Sequence, residues 1–519
     1  MIYEQKLRVR GGGVFRECPI YGIILCILHE FSLSFIVGPY KLLIEKDEEW
    51  DLVVLGAGSA GYVGAVRASE LGMKVLVLDP GELGGTCLHQ GCIPTKVLLE
   101  VGGRLRVCDE GSDTGVSYAR PVLDAGRLNA FRKSTVDRLS RGIALLFKNH
   151  GVTYRKAKGR LDGPGIVLQE GEGPVRLRAR NILLATGSMP RLLPAIPFDG
   201  SLVLSSTDLL RRESFAGRFA IVGGGAIGCE FAEILSAFGC ETHLFEREPR
   251  LLPTEDPELG AALEKELSQK SVSIKTGVGR LLFERKKQDG QETAFLSGQT
   301  DNGEFSLTVD CVLVAVGRSP VTESLGLETV GLFPGTGGFL SVSPCGETAV
   351  PGVYAAGDLA GGLLLAHKAS RQAVIAVESM AGRSPSPYDP TRIPRVVYTH
   401  PEVVSIGLTR EEAEREGRSV REGRFPLLAN GRSLTMGQRR GFIKNVIEEG
   451  TERVLGMHGI GPHLSEMMGG MALAMGLSDG LSRLAETVFP HPTVSEALHE
   501  AILDGMAAGE KPSSPGKRG

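Results

Sequence analysis

The same strand, loop and helix pattern occurs twice along the chain. In each copy a short apolar run, at 51–55 and again at 219–222, leads directly into three glycines spaced G-x-G-x-x-G. A helical pattern and a second apolar run follow, and that run ends in an acidic residue at the same distance in both copies. The corresponding positions are Gly56, Gly58, Gly61 and Asp79 in the first copy and Gly223, Gly225, Gly228 and Glu246 in the second.

This pattern predicts two Rossmann-like domains, each with a dinucleotide site. The first glycine allows a tight turn, the second lets the backbone approach a pyrophosphate, and the third permits close packing of helix against strand. The helix N-terminus presents free N–H groups to the phosphates, and the acid accepts hydrogen bonds from a ribose. One glycine-rich turn would be weak evidence, but two copies with matching acids argue against unrelated turns. We therefore predict one site for FAD and one for a nicotinamide dinucleotide.

Glu246 bears on which nicotinamide dinucleotide binds. A carboxylate at the end of the second strand repels the 2′-phosphate of NADP, so this residue predicts NAD. Arg247 follows directly and works against that prediction, because arginine is the residue that NADP sites use.

Two cysteines, Cys87 and Cys92, follow the first dinucleotide unit with four residues between them. A zinc site normally uses tighter spacing and a second pair of ligands, so we predict no metal site. A structural disulfide would be unexpected in a chain that otherwise has the features of an intracellular protein. A redox-active pair beside a flavin explains both the spacing and the position, because two thiols can supply two electrons to the isoalloxazine ring.

His491 and Glu496 lie close together in the run H-P-T-V-S-E near the C-terminus. A dithiol must lose a proton before it attacks a disulfide, because the thiolate is the nucleophile. Imidazole titrates in the right range to take that proton, and a carboxylate on the other ring nitrogen would fix its tautomer. A lone His-Pro is more often a turn than a base, so this assignment depends on the cysteine pair.

Length and charge limit the other possibilities. The 519 residues suffice for about three or four domains, and a net charge of −3 indicates neither a nucleic-acid partner nor a membrane partner. An apolar run at 20–37 follows several arginines, but His29 and Glu30 interrupt it and no small-residue cleavage site follows. We expect residues 1–48 to lie outside the fold and the protein to be cytoplasmic.

Taken in order, the motifs of residues 50–505 resemble those of the pyridine nucleotide-disulfide oxidoreductases. Within that family they are most similar to the dihydrolipoamide dehydrogenase branch. The other matching motifs are A-T-G at 185–187, A-V-G-R at 315–318, A-G-D at 356–358, L-A-H-K-A at 365–369, Y-T-H-P-E at 398–402 and H-G-I-G-P-H at 458–463.

The resemblance implies an α/β fold with two Rossmann-like dinucleotide-binding domains, for FAD and for NAD, and a C-terminal α+β dimerisation domain. The expected ranges are 1–48 for the N-terminal extension, 49–190 and 317–388 for the FAD domain, 191–316 for the NAD domain, 389–505 for the dimerisation domain and 506–519 for a disordered tail.

The resemblance also assigns site residues. The catalytic set is Cys87, Cys92, His491 and Glu496, and Lys96 with Glu230 matches an ion pair near the reactive nitrogen of the flavin. The positions expected around FAD are Gly56, Gly58, Gly61, Asp79, Thr86, Lys96, Ala157, Thr186, Gly187, Asp358 and Ala366. The positions expected around NAD and the flavin face are Gly223, Gly225, Ile227, Gly228, Glu230, Glu246, Val278 and Gly317.

The implied activity is that of a dihydrolipoyl dehydrogenase, which oxidises protein-bound dihydrolipoamide and reduces NAD. Cys87 would be attacked by the substrate, Cys92 would lie against the flavin, and His491 would come from the other subunit of a homodimer. The implied partner is the lipoyl domain of a 2-oxoacid dehydrogenase complex or the H protein of the glycine cleavage system.

Other functions stay open at this point. An NAD(P)H-dependent disulfide reductase of the glutathione reductase type would share the cysteines and the His-Glu pair; Glu246 argues against it, whereas Arg247 and Arg250 leave it possible. A flavin redox sensor or scaffold with low turnover is an alternative from another class, although every catalytic motif is intact. Phe489 and Pro490 precede His491 where dihydrolipoamide members often carry His-Ala, which leaves fine substrate preference open.

Overall fold

The computed structural model describes residues 36–37, 40–41, 48–110, 115–116, 119, 121–171, 174–288, 290–301 and 303–510. The predicted N-terminal extension, 1–48, lies outside the described residues except at 36–37, 40–41 and 48, and the predicted tail lies outside them beyond 510.

The first glycine loop lies at the edge of a mostly parallel sheet. Strands 48–55, 75–78 and 153–155 run parallel to the strand at 175–184, and two further strands continue the sheet antiparallel. Residues 52–55 and 75–78 are buried throughout, as expected for parallel strands covered on both faces. The elements of this part of the chain are β1 (Ile36–Val37), β2 (Tyr40–Lys41), β3 (Glu48–Leu55), α1 (Ser59–Glu70), β4 (Val75–Leu78), α2 (Gly85–Gln90), α3 (Cys92–Glu110), α4 (Ala125–Asn149), β5 (Thr153–Arg155), β6 (Gly159–Leu161), β7 (Ile166–Gln169), β8 (Val175–Leu184) and β9 (Ser188–Pro190).

The second glycine loop lies in a second parallel sheet. Its elements are β10 (Val203–Leu204), α5 (Ser206–Arg211), β11 (Arg218–Val222), α6 (Ala226–Ala237), β12 (Glu241–Phe245), α7 (Pro257–Gln269), β13 (Val272–Lys275), β14 (Leu281–Gln288), β15 (Gln291–Thr300), β16 (Gly303–Val309), β17 (Cys311–Val314) and β18 (Arg318–Pro320). The parallel order is β10-β17-β11-β12-β13, and β14, β15 and β16 form a separate antiparallel sheet. The middle of helix α6, from Gly228 to Leu235, is buried because the helix packs against both this sheet and α3 of the first domain.

The second domain is an insertion in the first. The chain leaves through β9 and returns through β18, and these two strands pair antiparallel, with Pro190 opposite Arg318. After its return, β19 (Val353–Ala355) joins the first sheet parallel to β8, and α8 (Ala366–Met380) packs against α1. Two Rossmann-like domains, one interrupted by the other, are therefore present as predicted.

The C-terminal domain is an antiparallel sheet with helices. It contains β20 (Arg395–Val397), β21 (Glu402–Gly407), α9 (Arg410–Arg415), β22 (Val420–Pro426), α10 (Gly431–Thr435), β23 (Phe442–Glu448), β24 (Val454–Gly461), α11 (Met468–Ala474), α12 (Gly480–Glu486) and α13 (Glu496–Glu510). The strand order is β20-β21-β24-β23-β22. The predicted start of the tail at 506 is too early, because Ala501, Ile502 and Gly505 hold α13 against the sheet and the helix continues to Glu510. Across the part of the chain that is described, no helix combines the length and hydrophobicity needed to cross a bilayer.

A buried lysine joins the second domain to the C-terminal domain. The Nζ atom of Lys444 on β23 lies 2.7 Å from Asp256, 2.8 Å from Glu258 and 3.5 Å from Glu422. Asp256 caps the N-terminus of α7 by accepting a hydrogen bond from the backbone N–H of Glu258 at 3.0 Å. The lysine therefore neutralises acids at the start of a helix that belongs to another domain.

Candidate active site and nucleotide sites

The two cysteines sit where α2 meets α3. Gly84 adopts the left-handed conformation (φ 111°), and a Cβ atom there would approach Leu88 to 2.3 Å, so the turn before α2 requires glycine. Cys87 then lies in the first turn of α2, and Cys92 is the first residue of α3. Both are half-buried free thiols. The short break at Gly91 thus brings the two side chains together.

The environments of the two sulfur atoms differ. A hydrogen bond from the Cys87 thiol, helped by the charge of Lys96, lowers the pKa of Cys92 to about 7. The same hydrogen bond, together with burial, raises the pKa of Cys87 far above its ordinary value. Cys92 also stands at a helix N-terminus, which favours a thiolate. The pair therefore loses its first proton from Cys92, while Cys87 keeps its own.

Lys96, one turn beyond Cys92, is fixed by an ion pair. Its Nζ atom lies 2.9 and 2.8 Å from the two carboxylate oxygens of Glu230 on α6. Glu230 is buried and also accepts a hydrogen bond from the backbone N–H of Tyr398 at 3.0 Å. The ring of Tyr398 faces the lysine, with 4.4 Å between Nζ and the ring centroid. The structure thus brings the predicted pair together and adds a contact from the C-terminal domain.

The first glycine loop has the geometry that a pyrophosphate requires. Gly56 has φ 106°, and a Cβ atom on Gly61 would lie 1.8 Å from the carbonyl oxygen of Gly56. Gly58 caps α1 without any side-chain hydrogen bond, so the first N–H groups of that helix have no side-chain cap. Asp79 accepts hydrogen bonds from the backbone N–H of Ala57 at 2.6 Å and of Gly81 at 2.7 Å.

Gly85, just before the cysteines, packs against the first glycine loop. A Cβ atom on Gly85 would lie 2.6 Å from the Cα atom of Gly58, so the two loops touch along bare backbone. A Cβ atom on Gly58, in contrast, would find no other atom closer than 3.9 Å. The loops therefore form a wall without side chains at the start of α1, which fits the pyrophosphate of FAD.

The remaining residues predicted for FAD lie along the carboxyl edge of the first sheet. Asp358 accepts a hydrogen bond from Ser188, whose hydroxyl also accepts one from Arg318 Nε at 2.7 Å. Thr186 donates its hydroxyl to a backbone carbonyl at 2.7 Å. The other positions predicted for FAD are Thr86 in α2, Ala157 in the turn after β5, Gly187 between β8 and β9 and Ala366 at the start of α8, and Gly317, predicted for NAD and the flavin face, directly precedes β18.

The second loop repeats the first. Gly223 has φ 112°, and a Cβ atom on Gly228 would lie 1.8 Å from its carbonyl oxygen. Gly225 caps α6 with no side-chain hydrogen bond, and a Cβ atom added there would meet nothing within 4 Å. This open space at a helix N-terminus fits the pyrophosphate of a second dinucleotide. Ile227 lies in the first turn of α6.

The acid after β12 is held firmly. Glu246 is buried, and its carboxylate accepts hydrogen bonds from the backbone N–H of Gly224 at 2.5 Å and of Glu248 at 2.8 Å. Its own carbonyl accepts a hydrogen bond from Val278 N at 2.9 Å, which places Val278 beside it. Arg247 points away, because its guanidinium binds the Glu248 carboxylate at 2.8 Å and its side chain is 80% exposed.

His491 and Glu496 form a pair at the start of α13. The ring Nδ1 atom of His491 lies 2.8 Å from a Glu496 oxygen, and the other oxygen accepts a hydrogen bond from Thr493 N at 2.8 Å. These two hydrogen bonds lower the pKa of Glu496. The His491 side chain is 79% exposed, and no hydrogen bond among the described residues joins it to either cysteine. The Phe489 ring lies 5.3 Å from that of His499, so this departure from the branch packs against α13.

Comparison with known proteins identifies the family to which the chain belongs. A family model described as pyridine nucleotide-disulphide oxidoreductase matches residues 50–373, and one described as its dimerisation domain matches residues 393–502. The chain belongs to the pyridine nucleotide-disulphide oxidoreductase family. Membership implies FAD and NAD or NADP as cofactors, and the second match indicates a homodimer. The motif-based prediction of the family is confirmed.

Relatives carry the name of the predicted branch. The dihydrolipoyl dehydrogenase of Bacillus subtilis is 37% identical and covers 88% of this chain and 99% of its own. That of Thermus scotoductus is 40% identical and covers 87% and 96%. Among solved structures, LpdA from Mycobacterium tuberculosis superposes with a TM-score of 0.80 at 25% identity, covering 88% of this chain and 99% of that one.

Two cations near Asp358, the buried Lys368 and the partly buried Arg318, lie in motifs of the sequence but have no predicted role. Lys368 is fully buried on α8 and donates hydrogen bonds to the carbonyls of Gly357 at 2.9 Å and Gly361 at 2.6 Å. Burial lowers the pKa of Lys368 to about 8. Arg318 lies 4.0 Å from Asp358. The motifs L-A-H-K-A and A-V-G-R could have indicated these two cations, because in each motif a charged residue follows apolar ones at the end of a buried segment.

Proposed function

We propose that this protein is a dihydrolipoyl dehydrogenase that oxidises dihydrolipoamide through the Cys87 and Cys92 pair and passes the electrons to NAD. The observation that carries the proposal is the Cys87 and Cys92 thiol pair where two helices meet, one helical turn from the ion pair of Lys96 with Glu230 and beside a glycine loop that fits FAD. The names of the relatives support the choice of substrate. The site residues assigned from the sequence are part of this proposal.

The proposed cycle starts from the oxidised pair, in which the two sulfur atoms share a bond. A substrate thiolate attacks Cys87, a bond forms between them, and Cys92 leaves as a thiolate. The second substrate thiol loses its proton and attacks the substrate sulfur bound to Cys87, which closes lipoamide and releases Cys87. The two electrons of the substrate then reside on the cysteine pair. Bound FAD would accept these electrons and deliver them to bound NAD as a hydride.

His491 takes the substrate protons in this scheme. Glu496 holds the Nδ1 atom, so Nε2 is left to act as the base. Because His491 is exposed and not hydrogen-bonded to the cysteines of its own chain among the residues described, we assign it to the site of the second subunit. The dimerisation-domain match supports this arrangement.

NAD is the proposed acceptor because of the region after β12. The buried Glu246 carboxylate would face the ribose hydroxyls and repel a 2′-phosphate. Arg247, which worked against NAD in the sequence, is paired with Glu248. The proposed delivery partner is a lipoyl domain of a 2-oxoacid dehydrogenase complex or the H protein of the glycine cleavage system, and we propose a cytoplasmic location.

The test is turnover of free dihydrolipoamide by the FAD-loaded dimer, with NAD and NADP side by side. We expect fast reduction of NAD and little of NADP. NADPH-dependent reduction of glutathione without dihydrolipoamide turnover would instead support a disulfide reductase. Absence of turnover, together with no long-wavelength absorbance after two-electron reduction, would support a redox sensor or scaffold.

The base is tested with His491→Gln and Glu496→Gln. We expect His491→Gln to lower dihydrolipoamide oxidation by about 10²- to 10⁴-fold, the usual contribution of a general base. Glu496→Gln should lower it less, because the histidine is still present. Reduction of an artificial dye by NADH requires no proton transfer from a dithiol, so it should survive in both variants. Equal loss of both activities would contradict the assigned role.

A further inference from the structure

The outer face of α4 carries a stripe of basic and apolar side chains. Phe131, Arg138 and Leu145 are spaced seven residues apart, so their side chains project from one side of the helix. We define the basic–apolar stripe by six exposed residues, which are Arg127, Phe131, Arg138, Arg141, Leu145 and Lys148. From Arg127 to Lys148 the stripe extends about 31 Å along the helix.

The stripe is an exposed surface on a firmly packed helix. The opposite face of α4 is buried through Leu128, Ile143 and Phe147. Phe131 is 52% exposed and Leu145 57% exposed, although both are large apolar side chains. A rigid helix that presents apolar side chains between cations has the composition of a protein-binding surface, where aromatic and arginine residues are enriched.

The charge of the helix specifies the kind of partner. Within α4 six basic residues stand against a single acid, Asp137. Among the described residues, Arg138, Arg141 and Lys148 form no ion pair that would neutralise them. A second copy of the chain docked through the same face would set two basic stripes against each other. The stripe is therefore complementary to an acidic surface and not to itself.

The stripe lies on a helix that packs against the helix carrying Cys87. Helix α4 packs directly against α2, which carries Cys87, and the Ser140 hydroxyl donates a hydrogen bond to the carbonyl of Leu83, just before α2, at 3.0 Å. Because the stripe lies on the other face of α4, a protein bound along it is about one helix diameter, roughly 10 Å, from the helix whose cysteine the substrate attacks. We propose that the basic–apolar stripe is the docking surface for an acidic carrier domain that delivers the dihydrolipoyl group. This inference rests on the proposed function.

The test compares the oxidation of free dihydrolipoamide with the oxidation of a dihydrolipoyl group carried on a lipoyl domain. The variant R138E/R141E reverses the centre of the stripe, and K265E/R383E makes the same charge change at exposed residues elsewhere. With a recombinant lipoyl domain of net negative charge, we expect R138E/R141E to lower kcat/KM about tenfold or more, as for charges that steer association. Its turnover of free dihydrolipoamide should stay within about twofold, and K265E/R383E should resemble the unmodified protein on both substrates. Added salt should slow the unmodified protein with the lipoyl domain more than it slows R138E/R141E.

Several outcomes would overturn the proposal. Equal activity of the unmodified protein and R138E/R141E on the lipoyl domain would show that the stripe does not dock it. An equal loss on free dihydrolipoamide would locate the effect in the active site, and dissociation of the dimer would identify the stripe as a subunit contact. If the unmodified protein oxidises neither substrate, the proposed function fails. Binding of the oxidised lipoyl domain, measured by fluorescence anisotropy in both variants, then tests the docking surface alone.

Discussion

At the scale of single residues, the thiols of Cys87 and Cys92 differ in their surroundings and therefore in their pKa values. Cys87 and Cys92 are the same side chain five positions apart, yet the hydrogen bond between them lowers the pKa of Cys92 and raises that of Cys87, and Cys92 is the first residue of its helix. The Lys96 cation stays in place because the buried carboxylate of Glu230 holds it. In the proposed cycle the sulfur with the lower thiol pKa, that of Cys92, is the better leaving group when the substrate attacks Cys87.

This asymmetry predicts the pH dependence of alkylation. The rate at Cys92 in the reduced protein should rise with pH around an inflection near 7, because only the thiolate reacts. In Cys87→Ala the hydrogen bond to Cys92 is lost, so the inflection should move to higher pH, toward that of an ordinary thiol. Mass spectrometry of the modified Cys92 peptide measures both rates.

Cys345→Ser is the matched control, since it removes a thiol outside the pair. The buried Cys229, Cys240 and Cys311 have raised pKa values and should not react in this range. An inflection in Cys87→Ala that coincides with that of the unmodified protein would show that the hydrogen bond is not the cause.

At the scale of elements, the sequence predicted those helices, strands and loops whose residue pattern repeats or alternates within a short stretch of the chain. Both glycine loops, the helices that follow and the acids at the strand ends were predictable, because each lies within about thirty residues of chain. The contacts of Asp358 with Ser188 and Arg318 were not, because strand ends from three distant segments meet there. The contact of Tyr398 with Lys96 and Glu230 was missed for the same reason.

Two glycines of the second loop should respond differently to the same change. A Cβ atom at Gly225 meets open space, so Gly225→Ala should fold normally but should bind NAD about tenfold more weakly or worse, a loss of about 1.4 kcal/mol. A Cβ atom at Gly228 meets the Gly223 carbonyl, so Gly228→Ala should lose about 3 kcal/mol or more of stability. Thermal unfolding and NADH fluorescence measure the two effects. Equal thermal stability of the two variants would contradict the assigned packing.

At the scale of the whole molecule, the site is assembled from separate domains. Glu230 comes from the second domain, Lys96 from the first and Tyr398 from the C-terminal domain. The order of domains was predictable from the order of motifs. The end of the last helix was not, because it depends on how far α13 packs across the sheet. Lys444 is another such contact, since nothing near it in sequence indicates its acids.

Lys444→Met should loosen the second domain from the C-terminal domain. Removing the cation leaves Asp256 buried without its partner, which should destabilise the protein by about 3–5 kcal/mol. Thermal unfolding measures the change, and Lys265→Met, at an exposed lysine on α7, is the control. No difference between the two variants would show that the contact does not hold the domains together.

The same contact predicts a loss of stability in alkali. Burial opposes the charge of Lys444, but its hydrogen bonds to Asp256 and Glu258 hold its pKa above the ordinary value of 10.5. A raised pKa in the folded state means that the stabilising contribution is complete below 10.5 and is lost as the pH rises through the higher, folded value. The difference in melting temperature between the unmodified protein and Lys444→Met should therefore shrink at strongly alkaline pH. A constant difference would contradict the role of the lysine charge.

The paired strands β9 and β18 have a consequence for how the chain folds. They hold the two ends of the inserted domain side by side, with Pro190 opposite Arg318. Once the insert has folded, only the segment from β18 to β19 remains to be ordered before β19 pairs parallel with β8, although a whole domain separates these two strands in sequence. The entropy lost in closing a loop grows with its length, so prior folding of the insert lowers the cost of completing the first sheet. The inserted domain thereby brings together β8 and β19, the two neighbouring strands that it separates in sequence.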